Sequence, residues 1–400
     1  MNAPEKSSAP ADSVAGAQTR FLLVLGLCGF NSALSLRALD PMLPLVSAEF
    51  GITANEAALL ASVYALTYAL GQLVLGAIGD AYGKVRTITV CVGLLAITLF
   101  LQALAPDFLS LIGIRAVSGV VGGGIIPLSL AMIGDRFPLA VRQVAMGRFL
   151  FVSIGGQMVG AAMSGVVAEA LGWRGVFAVS GLLAAGIAVL ALATMKPRPG
   201  AARRPFGLAS FTAGNREVLR SSGALPFFLV VFLEGVLVFA IMPFAAAFLY
   251  ERDGVTTAGA GLALAGFGLG TISYTLLVGP LLRRLGTWGL RLGGGLLAGS
   301  GLVLFALPLP FPLPALLFFC LGFGFLMLHN TFQVTATELA PRVRGAALSF
   351  FAMSLFLGQS VGPIVLGPFA AAVGLPVAAA TAGVLLAGLG ATAAYAIRRA

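Results

Sequence analysis

Two glycine-flanked stretches give the strongest indication of the fold: residues 156–160 read GQMVG, and residues 358–362 read GQSVG. The two stretches lie 202 residues apart in a chain of 400 residues. Further glycines repeat at an offset of 202 or 203: Gly165 with Gly367, Gly76 with Gly279, and Gly83 with Gly286. A repeat of this length predicts two copies of one structural unit joined in tandem.

The composition around this repeat is that of a membrane protein. Hydrophobic residues make up 59% of the chain and charged residues 10%, whereas about a quarter of a soluble domain is charged. Apolar runs recur at roughly the 20-residue length that a membrane-spanning helix needs, and the roughly 10-residue alternating strands of an outer-membrane barrel are absent. The chain is therefore predicted to be an all-α membrane protein, and not a soluble enzyme, a nucleic-acid-binding domain or a disordered chain.

Twelve transmembrane helices are predicted, six in each copy of the repeat. These spans are placed at 21–47, 56–79, 86–105, 108–134, 144–169, 174–195, 223–249, 258–282, 288–308, 313–337, 345–370 and 374–397. The expected domains are a disordered tail at 1–20, a six-helix bundle at 21–195, a linker at 196–222 and a second bundle with a short tail at 223–400.

The distribution of basic residues predicts the orientation in the membrane. Twenty of the 24 Lys and Arg residues fall on one side of the predicted spans, and the opposite loops carry only Arg174 and Arg252. Because basic loops stay on the cytoplasmic side, both termini and the linker are predicted to be cytoplasmic, in a bacterial-type inner membrane. The net charge of +10 is then explained by topology and by contact with the anionic lipid of the bilayer, and no nucleic-acid partner is expected.

Once the charges near the ends of the spans are assigned to the two membrane sides, four charged residues remain inside the membrane: Arg37, Asp40, Arg115 and Glu234. A charged side chain at a helix centre costs roughly 2.5–3.5 kcal/mol on insertion scales, so such residues are normally functional or paired. Arg37 and Asp40 share one helix face, and the depth of Arg115 in span 4 matches that of Asp40. Asp40 is expected to face both arginines and to take up a proton when one contact is lost, as proton coupling requires. A static neutralising cluster is the alternative.

Glu234 lies near the middle of span 7, where the second copy offers no obvious cation at the same depth. A carboxyl group alone in an apolar cavity favours its protonated form. It could bind a cationic substrate or carry a proton, and the alternative is a permanently neutral side chain bonded to the backbone.

Further polar residues within the spans are candidates for the wall of a substrate cavity, and ordinary helix packing is the alternative for each of them. They are Tyr64, Tyr68 and Gln72 on span 2, Gln157 and Gln359 at repeat-related positions, and His329, Asn330 and Gln333 on span 10. The three cysteines, Cys28, Cys91 and Cys320, lie in apolar runs without a CxxC pattern or a Cys/His cluster, so neither a disulfide framework, a metal site nor a cofactor is predicted.

Several local motifs resemble those of the major facilitator superfamily. Residues 76–86 read GAIGDAYGKVR, which is similar to the signature of the loop between spans 2 and 3 with Ala81 where Arg is usual. Residues 115–119 (RAVSG) resemble the signature of span 4, and residues 156–165 (GQMVGAAMSG) that of span 5 in antiporters. The end of span 1, residues 40–44 (DPMLP), is similar to the drug:proton antiporter branch. The resemblance implies two pseudo-symmetric six-helix bundles that transport a small molecule, in a monomer.

The resemblance also implies a cytoplasmic gate formed by Gly76, Asp80, Gly83, Lys84 and Asp135. In the family the acid of the first motif caps the start of span 11, which lies near Gly345 here, while a following basic residue pairs with an acid of span 4. Lys84 and Asp135 hold those two positions. The second copy reads RRLG at 283–286 without an acid, so a latch is expected on one side only.

The function predicted from these features is proton-coupled antiport that exports small organic or drug-like molecules by alternating access. A proton-coupled importer of a small metabolite, such as a sugar or an organic acid, is the alternative. Residues 79–84 lack the Ser or Thr of a phosphate-binding loop, and no Ser/His/Asp set lies at one depth, so neither ATP binding nor enzyme activity is expected.

Overall fold

In a computed structural model, the structure describes residues 11–196, 216–340 and 343–396, and within these ranges it contains helices and no strands. The helices are α1 (Ala11–Arg37), α2 (Leu43–Phe50), α3 (Ala54–Tyr82), α4 (Lys84–Ala103), α5 (Phe108–Gly123), α6 (Ile125–Arg136), α7 (Leu139–Thr194), α8 (Ala224–Phe239), α9 (Met242–Asp253), α10 (Thr257–Phe305), α11 (Leu313–Leu339), α12 (Arg344–Val373) and α13 (Leu375–Ala396).

These helices form the twelve predicted spans within the described residues. Ten segments are long and apolar enough to cross a membrane, and two of them, α7 and α10, are about twice the necessary length. Each of these two contains one non-helical glycine, Gly172 with φ 70° and Gly286 with φ 63°. Because glycine adopts positive φ at little cost, the chain turns at these residues, and α7 supplies spans 5 and 6 while α10 supplies spans 8 and 9.

Three spans are broken near the middle where one continuous helix was predicted. Span 1 consists of α1, a 3₁₀ turn at Asp40–Met42 and α2. Span 7 consists of α8 and α9, with Pro243 at the start of α9, and span 4 consists of α5 and α6, which meet at Gly124. Proline lacks the N–H that would continue a helix. Pro41 and Pro243 are themselves 202 residues apart, so the repeat extends to the breaks.

The first helix begins earlier than predicted. Residues 11–20 belong to α1, although the sequence placed them in a disordered tail. Helix propagation adds one hydrogen bond per residue to an existing nucleus, so an apolar span readily extends into a flanking segment that contains alanines. Residues 1–10 and 197–215 lie outside the described residues.

The repeat reappears in the packing of the glycines. A Cβ atom added to Gly156 would lie 2.2 Å from the carbonyl oxygen of Phe30, and one added to Gly358 would lie 2.0 Å from that of Phe232. Phe30 and Phe232 are again 202 residues apart. Spans 1 and 5 therefore approach one another in the same way as spans 7 and 11, because glycine leaves room for the opposing backbone.

Most of the buried apolar side chains form two clusters. One contains residues between 21 and 195, and the other residues between 218 and 393 together with Ala58 and Ala161. We refer to residues 11–196 as the N-half and to residues 216–396 as the C-half. We call the membrane side that carries Lys84, Arg136 and Arg283 the basic face, and the opposite side the acidic face.

The two halves meet from the middle of the bundle to the acidic face. Spans 5 and 8 pack together, as do spans 2 and 11, and the ring centroids of Tyr68 and Phe356 lie 4.6 Å apart near the middle. Towards the basic face, a Cβ added to Gly76 of span 2 or to Gly345 of span 11 would meet no atom of the described residues within 4 Å. The halves are therefore in contact from the middle to the acidic face, and these two glycines make no such contact at the basic face.

Candidate functional site

The break in span 1 holds an ion pair in the interior of the bundle. Arg37 ends α1 and Asp40 begins the following 3₁₀ turn, and the two side chains are only 6% and 3% exposed. The Nη1 atom of Arg37 donates to Oδ2 of Asp40 at 3.4 Å. The structure thus brings together the first two charges predicted from the sequence.

Arg37 also connects the two halves of the molecule. Its Nε donates to Oε1 of Gln157 on span 5 at 3.5 Å. Its guanidinium carbon lies 4.5 Å from the ring centroid of Phe239 and 5.9 Å from that of Phe267, both in the C-half. A cation over an aromatic face is attracted by the ring quadrupole, so the charge of Arg37 acts across the junction.

A cavity of about 10 Å³, which is room for a single water molecule, lies beside this ion pair. Arg37, Asp40 and Gln157 line it from the N-half, and Met242 and Phe267 are among its lining residues from the C-half. This cavity is too small for an organic substrate in this conformation. A second cavity of about 180 Å³, lined by Pro41 and Leu45 of the N-half and Tyr250 of the C-half, lies at the same junction.

Arg115 lies near enough to Asp40 for their charges to interact, as expected, but it forms no ion pair with Asp40 among the described residues. Among the described residues its Nη1 donates to the carbonyl oxygen of Ser35 at 3.3 Å and its Nε to that of Leu60 at 3.5 Å. Its guanidinium lies 4.1 Å from the ring centroid of Tyr64, while Asp40 is close enough to interact electrostatically without a hydrogen bond. Matching depth brings Arg115 near Asp40, and the rotation of span 4 decides which acceptors its side chain reaches.

The aromatic stripe on span 2 is buried in helix packing. Tyr64 and Tyr68 are 0% and 2% exposed. Tyr64 lies under Arg115, and the hydroxyl of Tyr68 is 3.3 Å from Oγ of Ser32. Gln72 is also buried. Of the two readings left open by the sequence, packing describes all three residues in this conformation.

Glu234 has a partner, so the prediction that it stands alone is wrong. Its Oε2 lies 2.8 Å from Nδ1 of His329 on span 10, and its side chain is 0% exposed. The imidazole is stacked between Phe325 and Phe351, at centroid distances of 4.9 and 4.6 Å. The two residues are 95 positions apart in the chain, and no local pattern shows that spans 7 and 10 bring them together.

The other predicted cavity residues are dispersed. Asn330 is half-buried and Gln333 is exposed, so neither joins the pair formed by Glu234 and His329. Gln359 is buried. Gln157, which bonds Arg37, is the cavity candidate that the structure brings to the ion pair.

Two polar residues in the interior were missed from the sequence. Asn31 on span 1 is fully buried, and neither Nδ2 nor Oδ1 has a hydrogen-bond partner among the described residues. Arg291, which was counted with the loops at the basic face, is 7% exposed within span 9 and donates to the hydroxyls of Thr331 and Thr335. The position of Arg291 inside the predicted span 288–308 is the signal that could have identified it as an interior residue.

The residues of the predicted gate lie at the basic face. Lys84 contacts Oδ2 of Asp135 at 2.5 Å and Oδ1 of Asp80 at 3.3 Å. The carboxylate side chain of Asp80 is 54% exposed, and the first residues of span 11 receive no side-chain cap. Gly83 ends span 2 with φ 101°. The pair of Lys84 with Asp135 is thus present, whereas the contact of Asp80 with span 11 is not formed in this conformation.

Residues 25–363 match the model of a family described as the Major Facilitator Superfamily. This chain belongs to the major facilitator superfamily. Membership makes it a multi-pass membrane protein that transports a small molecule.

Two related proteins and one solved structure show how similar this chain is to known transporters. The chain is 27% identical over 342 residues to the uncharacterized MFS-type transporter YceJ of Bacillus subtilis (strain 168), and the match covers 82% of this chain and 84% of YceJ. It is 29% identical over 160 residues to the multidrug efflux pump LfrA of Mycolicibacterium smegmatis, covering 40% of this chain and 32% of LfrA. A crystal structure of the nucleoside transporter NupG shares the fold, with a TM-score of 0.72 at 16% identity over 94% of this chain and 99% of NupG.

Proposed function

We propose that the protein is a proton-coupled antiporter that exports small organic or drug-like molecules by alternating access. The observation that carries the proposal is the ion pair of Arg37 and Asp40, which is buried where the two halves meet. With Asp40 ionised, the pair is neutral overall. A proton on Asp40 would leave the charge of Arg37 without its counter-ion in a water-poor junction, which is strongly unfavourable. The relative stability of the conformations therefore depends on whether Asp40 carries a proton, and proton coupling requires such a dependence.

Glu234 and His329 are the groups that we assign to substrate recognition. Oε1 of Glu234 is buried without a hydrogen-bond partner among the described residues, and a buried acceptor left unpaired is costly. A cationic substrate, or one that donates an N–H group, would satisfy this oxygen. A proton on the carboxyl group of Glu234 removes the charge that would attract the substrate. Proton and substrate therefore compete for this group, and such competition produces exchange of one for the other. The partial similarity to LfrA supports export.

We further propose that the basic face is cytoplasmic and that residues 21–195 and 223–400 move as two units joined by the linker 196–222. The conformation seen here would then be open to the cytoplasm. In the opposite conformation Asp80 would cap the start of span 11, since a carboxylate is stabilised by the free N–H groups and the dipole at a helix N-terminus.

The proposal is tested with purified protein in proteoliposomes that contain a trapped pH-sensitive dye, with ethidium as a cationic probe. Antiport predicts that ethidium added outside expels protons, so the lumen becomes alkaline, and that an imposed pH gradient drives ethidium uptake. Acidification of the lumen would show cotransport and favour an importer instead. Ethidium flux that is indifferent to the pH gradient would overturn proton coupling. Liposomes with the Asp40→Asn variant are the matched control for proton leakage.

A further inference from the structure

At the acidic face, a carboxylate of the N-half caps a helix of the C-half. Glu169 lies in span 5, three residues before Gly172, and its Oε2 accepts a hydrogen bond from the backbone N–H of Ala258 at 3.1 Å. Ala258 is the second residue of span 8, whose N-cap Thr256 accepts from the N–H of Gly259 at 3.2 Å. The first N–H groups of a helix have no partner within it. In span 8, the N–H of Gly259 is bonded by the N-cap Thr256, and the N–H of Ala258 is bonded by Glu169 of the N-half.

Two glycines allow Glu169 to reach this position. One turn before Glu169, a Cβ added to Gly165 would lie 2.6 Å from the carbonyl oxygen of Thr257 and 3.0 Å from Cα of Gly261. A Cβ added to Gly261 would lie 2.6 Å from the carbonyl oxygen of Ala161. Spans 5 and 8 are therefore in backbone contact directly beneath the cap, and any larger side chain would hold the halves apart.

This segment shares the spacing of a glycine and an acid with the predicted gate at the basic face. Residues 165–169 read GVVAE at the end of span 5, and residues 76–80 read GAIGD at the end of span 2. Both segments place an acid four residues after a glycine, close to the end of a span. The carboxylate of Asp80 is expected to cap a C-half helix at the basic face, and the carboxylate of Glu169 caps one at the acidic face.

We propose that Glu169 is the latch of the acidic face and that the caps made by Glu169 and Asp80 form in alternate conformations. In this structure the Glu169 cap is made, while Asp80 is more than half exposed and no atom of the described residues would lie within 4 Å of a Cβ on Gly345. Each carboxylate stabilises the conformation in which its face is closed, because the favourable interaction with the helix N-terminus is lost when the halves part. The sequence predicted a latch at the basic face, in the first copy of the repeat only, and the cap made by Glu169 adds a contact of the same kind at the acidic face.

Electron–electron distance measurements between two spin labels test this latch. Leu171 of the N-half and Leu307 of the C-half are exposed at the acidic face. Spin labels attached to Leu171→Cys and Leu307→Cys report the opening of this face. The native cysteines Cys28, Cys91 and Cys320 are replaced by Ala. We expect Glu169→Ala to shift the ratio of open to closed acidic face by roughly 5- to 30-fold towards open. Glu169→Lys, which puts a cation at the helix N-terminus, should shift it further. Asp80→Ala should shift it towards closed.

Glu251→Ala is the matched control, because Glu251 is another exposed acid of the acidic face and is not part of the cap. Distance distributions of the Glu169 variants that equal that of Glu251→Ala would overturn the proposal, as would a shift of Asp80→Ala in the same direction as Glu169→Ala. The latch rests on the proposed alternating-access cycle. The distances are measured without a pH gradient or a substrate, so a failure of the latch and a failure of proton coupling give separate results.

Discussion

The guanidinium of Arg37 lies 4.5 Å from the ring of Phe239, and these two residues hold the same position in the two copies of the repeat, 202 residues apart. The break in span 1 and the break in span 7 therefore face each other across the junction. One copy supplies a charge and the other an aromatic ring. The charged and polar side chains at these breaks, Arg37 and Asp40, belong to the N-half. The pair formed by Glu234 and His329 lies in the C-half.

Removing the charge of Asp40 should destabilise the protein, and removing the charge of Arg37 as well should recover part of the lost stability. Asp40→Asn leaves Arg37 buried without a counter-ion, and breaking such a pair typically costs about 3–5 kcal/mol. We expect a clearly lowered Tm for Asp40→Asn and for Arg37→Met, and a smaller loss in the double variant than the sum of the two. Thermal unfolding of the four proteins in one detergent measures the coupling. Additive losses would show that the two side chains do not act as a pair.

Asp40→Asn should also separate driven transport from exchange. Because Asn cannot carry the proton, a pH gradient should no longer drive ethidium into proteoliposomes, whereas exchange of labelled for unlabelled ethidium should continue. Normalising both rates to the amount of reconstituted protein removes the effect of lower stability. Driven flux at the level of the unsubstituted protein would exclude Asp40 as the coupling residue.

Glu234→Gln should weaken the binding of a cationic probe. Hydrogen bonds to charged groups contribute about 1.5–3 kcal/mol, so the loss of charge predicts a rise in the Kd of ethidium of roughly 10- to 100-fold. Gln333→Ala is the matched control, since Gln333 is an exposed residue of span 10 and should leave the Kd unchanged. Titration of the purified proteins by ethidium fluorescence gives both values, and an unaltered Kd for Glu234→Gln would rule out charge recognition at this site.

The neighbouring glycines Gly155 and Gly156 should respond very differently to alanine. A Cβ on Gly156 would lie 2.2 Å from a backbone oxygen, whereas one on Gly155 would meet no atom within 4 Å. Overpacking typically costs about 1–3 kcal/mol, so Gly156→Ala should lower the Tm or prevent folding. Gly155→Ala should have a Tm close to that of the unsubstituted protein. Equal Tm values for the two variants would show that spans 1 and 5 are not in backbone contact at Gly156.

Shortening the aromatic side chain at the junction should loosen the acidic face. Phe239→Leu keeps an apolar side chain but removes the ring over which Arg37 lies, an interaction of about 2 kcal/mol when desolvated. Spin labels on Leu171→Cys and Leu307→Cys should report a larger open fraction. Phe239→Tyr, which retains the ring, should report the distribution of the unsubstituted protein. An unchanged distribution in Phe239→Leu would exclude a role of this contact in closure.

The number of spans could be predicted because each depends on the length of an apolar run. The sequence could not show the breaks in spans 1, 4 and 7, since a proline or glycine inside an apolar run is tolerated in some helices and divides others. It also counted Arg291 with the charges of the basic face, because this arginine lies near the start of the predicted span 288–308.

The sequence by itself determined the twelve spans, the repeat of about 202 residues, the separation of basic from acidic ends and the identity of Arg37 and Asp40 as interior charges. These properties follow from local runs and fixed spacings. Only the tertiary structure decided that His329 pairs with Glu234, that Arg115 bonds backbone carbonyls, and that Glu169 caps span 8. Such contacts join residues far apart in the chain. They depend on the rotation of each helix about its axis and on how closely glycines let two backbones approach, which no single span encodes.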